Sequence, residues 1–197
     1  MEIKRLTKQL QHSMLAFLLA GVCPSGALAQ NGHSHETNSQ TQQLTQAQGA
    51  LLKIVRDNTE RFKDVAVAQA EGYSLLFGCV SGPDSGAMGM HFVNLNLVGA
   101  GVIDATRPQI VIYEPTPNGG PKLTGADYLV FADTWNAKHS SPPELMGQLF
   151  HLFDAPNRFG LPAFYTLHVW AWKDNPLGTF TNWNPNVSCD GFNGVSQ

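Results

Sequence analysis

Residues 109–133, "QIVIYEPTPNGGPKLTGADYLVFAD", decide the fold. Two runs rich in β-branched and aromatic residues, "QIVIYEP" and "KLTGADYLVFAD", flank "TPNGGP", whose Asn118-Gly119 is a strong hairpin signal. With "PNGG" (117–120) as the loop, Thr116 pairs with Pro121, Glu114 with Leu123, Ile112 with Gly125 and Ile110 with Asp127. Residues directly opposite share a face, and each strand alternates faces. One face then carries Ile110, Ile112, Glu114, Leu123, Asp127, Leu129 and Phe131, placing two carboxylates among aliphatic groups. The other carries Val111, Tyr113, Thr124, Ala126, Tyr128 and Val130. A buried carboxylate costs several kcal/mol unless it is paired or coordinated, so Glu114 and Asp127 each need a partner.

Upstream of this hairpin, residues 46–71 have helical spacing. Leu52, Val55, Thr59, Phe62, Ala66 and Gln69 or Ala70 recur at three- and four-residue steps, with Arg56, Asp57, Glu60, Arg61, Lys63 and Asp64 on the other side. Gly72 follows as a C-cap. Beyond Cys79, "SGPDSGAMG" (81–89) reads as a loop and "MHFVN" (90–94) as a short strand. Residues 139–162 read as irregular with one helical turn, and residues 164–172 as the longest and most apolar strand. "KDNPLGTFTNWNPNVSC" (173–189), punctuated by Pro176, Gly178 and Pro185, reads as an ordered loop. The fold expected is α+β: an N-terminal amphipathic helix packed on a mainly antiparallel, curved sheet with long ordered loops.

The first 29 residues have the pattern of a secretory signal. Lys4, Arg5 and Lys8 precede the apolar "MLAFLLAGV" (14–22), and "ALA" (27–29) supplies small residues for cleavage after Ala29. That apolar run is shorter than the roughly 20 residues a membrane span needs, and no later stretch is long enough. Cys23 suits lipidation poorly because Val22 precedes it. Residues 30–45 are polar and expected as a disordered tail containing the His33/His35 pair; residues 46–197 are expected as one globular domain. The net charge of −3 becomes −5 once Lys4, Arg5, Lys8 and Glu2 are removed, which argues against nucleic acid and anionic membrane surfaces as partners. Cys79 and Cys189 then remain, and in an exported chain they are expected to form one disulfide. Closing a loop of roughly 100 residues contributes on the order of 4 kcal/mol in the chain-entropy view.

Charged residues make up 14% of the chain, and the cations after residue 75 are Arg107, Lys122, Lys138, Arg158 and Lys173. Histidines are the other partners for buried acids. His91 lies in "GMHFVN" on the face of Val93, and His168 lies in "AFYTLHVWAW" on the face of Phe164, Thr166, Trp170 and Trp172. Two imidazoles and a carboxylate with an open position form the donor set of catalytic zinc and of several non-haem iron sites. His91, Glu114 and His168 are the expected ligands, with Asp127 as a further ligand, an orienting group or a general base, around a single divalent transition metal (zinc, copper or iron). His151 in "LFHLF" is a third histidine candidate, His139 belongs to a loop, and Met88 and Met90 offer thioethers. Core packing explains a strand histidine equally well. Trp170, Trp172 and Trp183 with Asn182 and Asn184 could form a platform for a sugar or apolar ligand, or simply fill the core. There is no G-x-S-x-G, P-loop, G-x-G-x-x-G after a strand or C-x-x-C.

"GAMGMHFVN", "IVIYEP", "GADYLV" and "LHVWAWKDNPLGTFTNWNPNVSC" resemble segments of a group of uncharacterised exported bacterial proteins, over residues 65–189. In that group the position of Asp127 looks like one usually written as glutamate. The resemblance implies export and a single domain, with no activity attached. The function expected is a secreted or periplasmic protein with a His/carboxylate metal site. The alternatives are a non-enzymatic module for a small apolar or sugar ligand, and a structural protein without a site.

Overall fold

A computed structural model describes residues 33–82, 84–117 and 120–194, with side chains described from residue 39 onward. The signal-like segment, Cys23 and the Asn118-Gly119 tip of the hairpin lie outside these residues. In chain order the elements are α1 (His33–Thr59), a 3-10 turn (Glu60–Lys63), α2 (Val65–Ala70), β1 (Ser74–Gly82), β2 (Gly86–Val93), α3 (Leu95–Ala100), β3 (Ile110–Glu114), β4 (Lys122–Phe131), α4 (Ala132–Asn136), β5 (Glu144–Leu145), β6 (Gln148–Leu149), β7 (His151–Phe153) and β8 (Phe164–Val169). Six strands form one curled antiparallel sheet in the order β1-β2-β3-β4-β8-β7, with the N-terminal helix upstream of it, an α+β architecture. Strands β5 and β6 make a separate small ribbon.

The helical region differs from its expected outline at both ends. Helix α1 begins at His33, so residues 33–45, expected as a tail, continue it. Residues 39–46 are exposed, so this part carries no buried stripe for periodicity to detect. At the other end, the 3-10 turn and the Asp64 side chain, which accepts from Ala66 N at 2.9 Å, restart the chain as α2. The restart changes the phase of burial: Leu51, Val55, Thr59, Phe62 and Ala68 are buried, whereas Ala66, Gln69 and Ala70 are exposed. Gly72, at φ +93°, ends α2 as expected, with Tyr73 N donating to Ala68 O and Gly72 N to Gln69 O, both at 3.0 Å.

These elements cover one face of the sheet. Leu51 and Val55 pack on Ala126, Tyr128, Val130, Leu167 and Val169, and Phe62 packs with Phe92, Val111, Tyr113 and Leu123. Each such large apolar side chain contributes about 1.5–3 kcal/mol by burial. Arg56 Nε ties α1 to the end of β8 by donating to Ala171 O at 2.6 Å. The Cys79–Cys189 disulfide, with Cα atoms 5.8 Å apart, fastens β2's neighbour β1 to the C-terminal loop.

The hairpin register is as expected at Ile110↔Asp127 and Ile112↔Gly125, then slips. Thr124 is an extra residue in β4, so Tyr113 stands opposite Leu123 and Glu114 opposite Lys122. The bulge leaves Leu123 on the helix-covered face with Tyr113. The expected loop at 81–89 is mostly strand, with Gly82 paired to Gly86. Strand β1 escapes sequence detection because Leu75 and Leu76 are both exposed and no alternation is visible. Strand β8 stops at Val169, short of the expected Trp172, and its 6 residues are fewer than the 10 of β4, so it is not the longest strand. Past Val169 the chain turns, and Trp172 reaches the helix side, its Nε1 donating to Thr59 Oγ1 at 3.0 Å.

Candidate metal centre

The face opposite α1 is lined by Val93, Ile110, Ile112, Leu129 and Phe164, with Phe77, Phe153, Phe159 and Leu161 packed over them. Into this apolar surface three strands of the sheet project His91 from β2, Asp127 from β4 and His168 from β8, with β3 between β2 and β4. Cross-strand pairing sets their proximity. His91 lies opposite Ile112, Ile110 opposite Asp127, and Asp127 opposite His168. All three are buried, and one donor atom from each lies within 4.8 Å of the others. The His91 and His168 rings meet edge-on with centroids 5.6 Å apart. The buried His91/Asp127/His168 group could hold a metal ion.

Each donor is prepared differently. His91 Nδ1 lies 3.0 Å from Gly89 O, so with Nδ1 carrying the proton the ring donates there and Nε2 keeps its lone pair free. Gly89 makes this possible. Its φ of +92° turns the carbonyl toward the imidazole, and a Cβ there would lie 2.6 Å from Tyr113 O. The same distortion brings Met88 into the cavity wall, while Met90 packs on the helix side. Asp127 Oδ1 accepts from Thr166 Oγ1 at 2.5 Å. His168 Nδ1 is 3.5 Å from Asp127 Oδ1 without hydrogen-bond geometry, and among the described residues neither ring nitrogen of His168 has a partner. A buried polar group left unpaired costs about 1–3 kcal/mol, so two on one ring call for something to bind them.

Burial governs the protonation of the group. Desolvation lowers His91 to about 4, reinforced by the neighbouring His168. Desolvation lowers His168 to about 3, reinforced by His151. Desolvation raises Asp127 to about 6, opposed first by the Thr166 hydroxyl and also by His91 and the backbone N–H groups of Leu167 and Tyr128. At neutral pH the imidazoles are therefore neutral and the carboxyl ionised, the protonation state a cation requires.

Glu114 is not brought to this group. The Thr124 bulge carries it to the end of the hairpin, where Oε2 pairs with Lys173 Nζ at 2.5 Å and Oε1 accepts from Ser188 N at 3.1 Å. Its need for a partner is met by a lysine rather than by a metal. His151 sits on β7 opposite Thr166 and is exposed, and His139 stacks on Trp135 at 3.9 Å between ring centroids. The side chains of His33 and His35 lie outside those described. The tryptophans do not form a common platform: Trp170 is buried against Ala87 and Val187, Trp172 packs with the helix, and Trp183 lies over Gly82.

Thr166, Gly89 and the phenylalanine cover were not singled out by sequence. Thr166 was visible as a neighbour of His168 on the same face, but nothing in the spacing shows that its hydroxyl meets Asp127. No protein-family profile, curated protein or solved structure matches this chain. Among the described residues no helix is long and apolar enough to cross a membrane.

Proposed function

We propose that this chain is an exported protein that binds one divalent transition-metal ion through His91 Nε2, one ring nitrogen of His168 and the Asp127 carboxylate. The observation that carries the reading is His168: a buried imidazole with both nitrogens unpartnered, beside a buried carboxylate and a second imidazole with a free lone pair. Zinc, iron and copper all accept this donor set, and the ligand count leaves open positions for a further molecule. Thr166 and Gly89 O serve as positioning groups that fix the carboxylate and the His91 ring. Export is supported by the leader-like pattern of residues 1–29 and fits the disulfide, which belongs to an oxidising compartment.

Metal analysis of untagged protein, followed by titration of the chelator-treated protein with zinc or iron(II), tests this. One ion per chain is expected, lost in His91→Ala and His168→Ala and retained in His151→Ala. Wild-type protein that stays metal-free and shows no stoichiometric uptake would make the three residues a core network only.

A further inference from the structure

The cavity that meets the three donors narrows the class of molecule an ion there can accept, an inference that rests on the metal site proposed above. His91, Asp127 and His168 all rise from one face of one sheet, so they occupy one side of an ion and leave its other side to the cavity. That side is lined by Phe77, Phe153, Phe159, Leu161 and Phe164. Apart from the three donors, the one polar side chain among the described residues of the lining is Thr166, whose hydroxyl is already given to Asp127. The cavity has about 20 Å³ in which the centre of a water-sized sphere can lie. That is space for one or two small molecules, since a single water needs about 10–15 Å³ by this measure.

Beyond the ion itself, hydrolysis of an ester, amide or phosphoester draws on donors aimed at the oxygen on which charge develops. The wall offers none. A carboxylate or phosphate could place one oxygen on the ion, but its remaining oxygens would face phenylalanine rings without hydrogen bonds. A molecule of one or two heavy atoms, uncharged and with no polar group beyond its ligating atom, loses nothing there. We propose that the open side of this site binds a diatomic gas of the dioxygen class and excludes oxyanions, with the phenylalanine cover setting the size limit. Phe159 is the centre of that cover, with ring centroids 5.6 Å from Phe77, 5.9 Å from Phe153 and 6.0 Å from Phe164.

The test uses the full mature chain, freed of metal, reloaded anaerobically with iron(II) and probed with nitric oxide as the diatomic ligand. Electron paramagnetic resonance and visible absorption read the iron–nitrosyl. Complete conversion to one nitrosyl per iron is expected, while acetate and inorganic phosphate in large excess leave the iron spectrum unshifted. tert-Butyl isocyanide, too bulky for the wild-type cavity, is expected to bind only in Phe159→Ala, whose ring is only partly buried. Iron bound without nitrosyl formation, or acetate or phosphate shifting the iron spectrum, overturns the gas site and leaves the metal site standing. Wild-type binding of the bulky isocyanide overturns the size limit. Failure to load iron or any other transition ion overturns both readings.

Discussion

On the face of the sheet that α1 covers, every large polar tip has a partner. Tyr113 donates to Phe62 O at 2.7 Å, Tyr73 to Pro108 O at 2.7 Å and Tyr128 to Ala105 O at 2.6 Å. On the opposite face, under the phenylalanines, His168 has none among the described residues and His91 uses one of its two nitrogens. Both faces are apolar, so hydrophobicity does not distinguish them. Hydrogen-bond satisfaction does. A structural face closes its polar accounts within the chain, whereas the other leaves lone pairs converging on a point. The comparison assigns stability to the first face and binding to the second, and substitutions on each should separate the two.

The largest effect is expected from Phe62, which is 1% exposed and joins the 3-10 turn to the sheet. Phe62→Ala should cost about 3–5 kcal/mol in chemical denaturation, the range for deleting a buried aromatic ring. The ion-to-chain ratio of the molecules that remain folded should be unchanged. Loss of metal binding at full folding would break the division between the faces.

A pH effect should come next, and it belongs to the metal-free protein. His91 and His168 ionise near 4 and 3 when folded and near 6.5 when unfolded. Their neutral burial therefore favours the folded state fully above about pH 6.5, and this is lost as pH falls toward the folded values. Asp127, raised to about 6 from 3.8, acts oppositely, relieving the folded state as it takes up its proton. Two histidines against one carboxyl leave a net loss on acidification, roughly 1 kcal/mol per pH unit between about pH 6 and 4. Denaturation in chelator at pH 7 and 5 measures it, and His168→Leu should flatten the dependence. Stability that rises on acidification would reverse the assignment of neutral imidazoles.

Sequence patterning gave access to this division only in part. Hairpin pairing already put Ile110 and Asp127 on one face, and the apolar run around His168 marked a buried strand. That His91 and His168 meet depends on the strand order β2-β3-β4-β8, which no periodicity encodes. The Thr124 bulge is one residue in length and invisible to alternation, yet it decides that Glu114 meets Lys173. The cover is equally hidden. Phe77 lies on a strand without alternation, and Phe159 and Leu161 lie in an irregular segment whose packing is set by the sheet beneath it.

Replacing the unpartnered ring sharpens the contrast further. His168→Leu removes two buried, unsatisfied nitrogens and supplies apolar surface of similar size. In chelator it should stabilise the protein by about 1–3 kcal/mol, the cost of leaving such groups unpaired. With metal present the order should invert, because only the wild type gains binding energy. A His168→Leu chain less stable than wild type in chelator would mean that the imidazole has a partner within the fold.

The smallest effect is expected at Thr166, where the two roles touch. Its hydroxyl donates to the Asp127 oxygen nearest His168, so it holds the carboxylate without contacting an ion itself. Thr166→Val keeps the shape and removes the donor. Metal affinity should fall about tenfold, the lower end of the range for groups that orient a ligand. The fall is modest because the backbone N–H groups of Leu167 and Tyr128 still act on the carboxylate. Thr166→Ser should restore most of the affinity, which a purely structural role for the methyl group would not allow. Competitive titration against a chromophoric chelator resolves such a difference. Equal weakening in Val and Ser variants would assign Thr166 to packing beneath the phenylalanines, and equal retention in both would leave Asp127 held by the backbone alone.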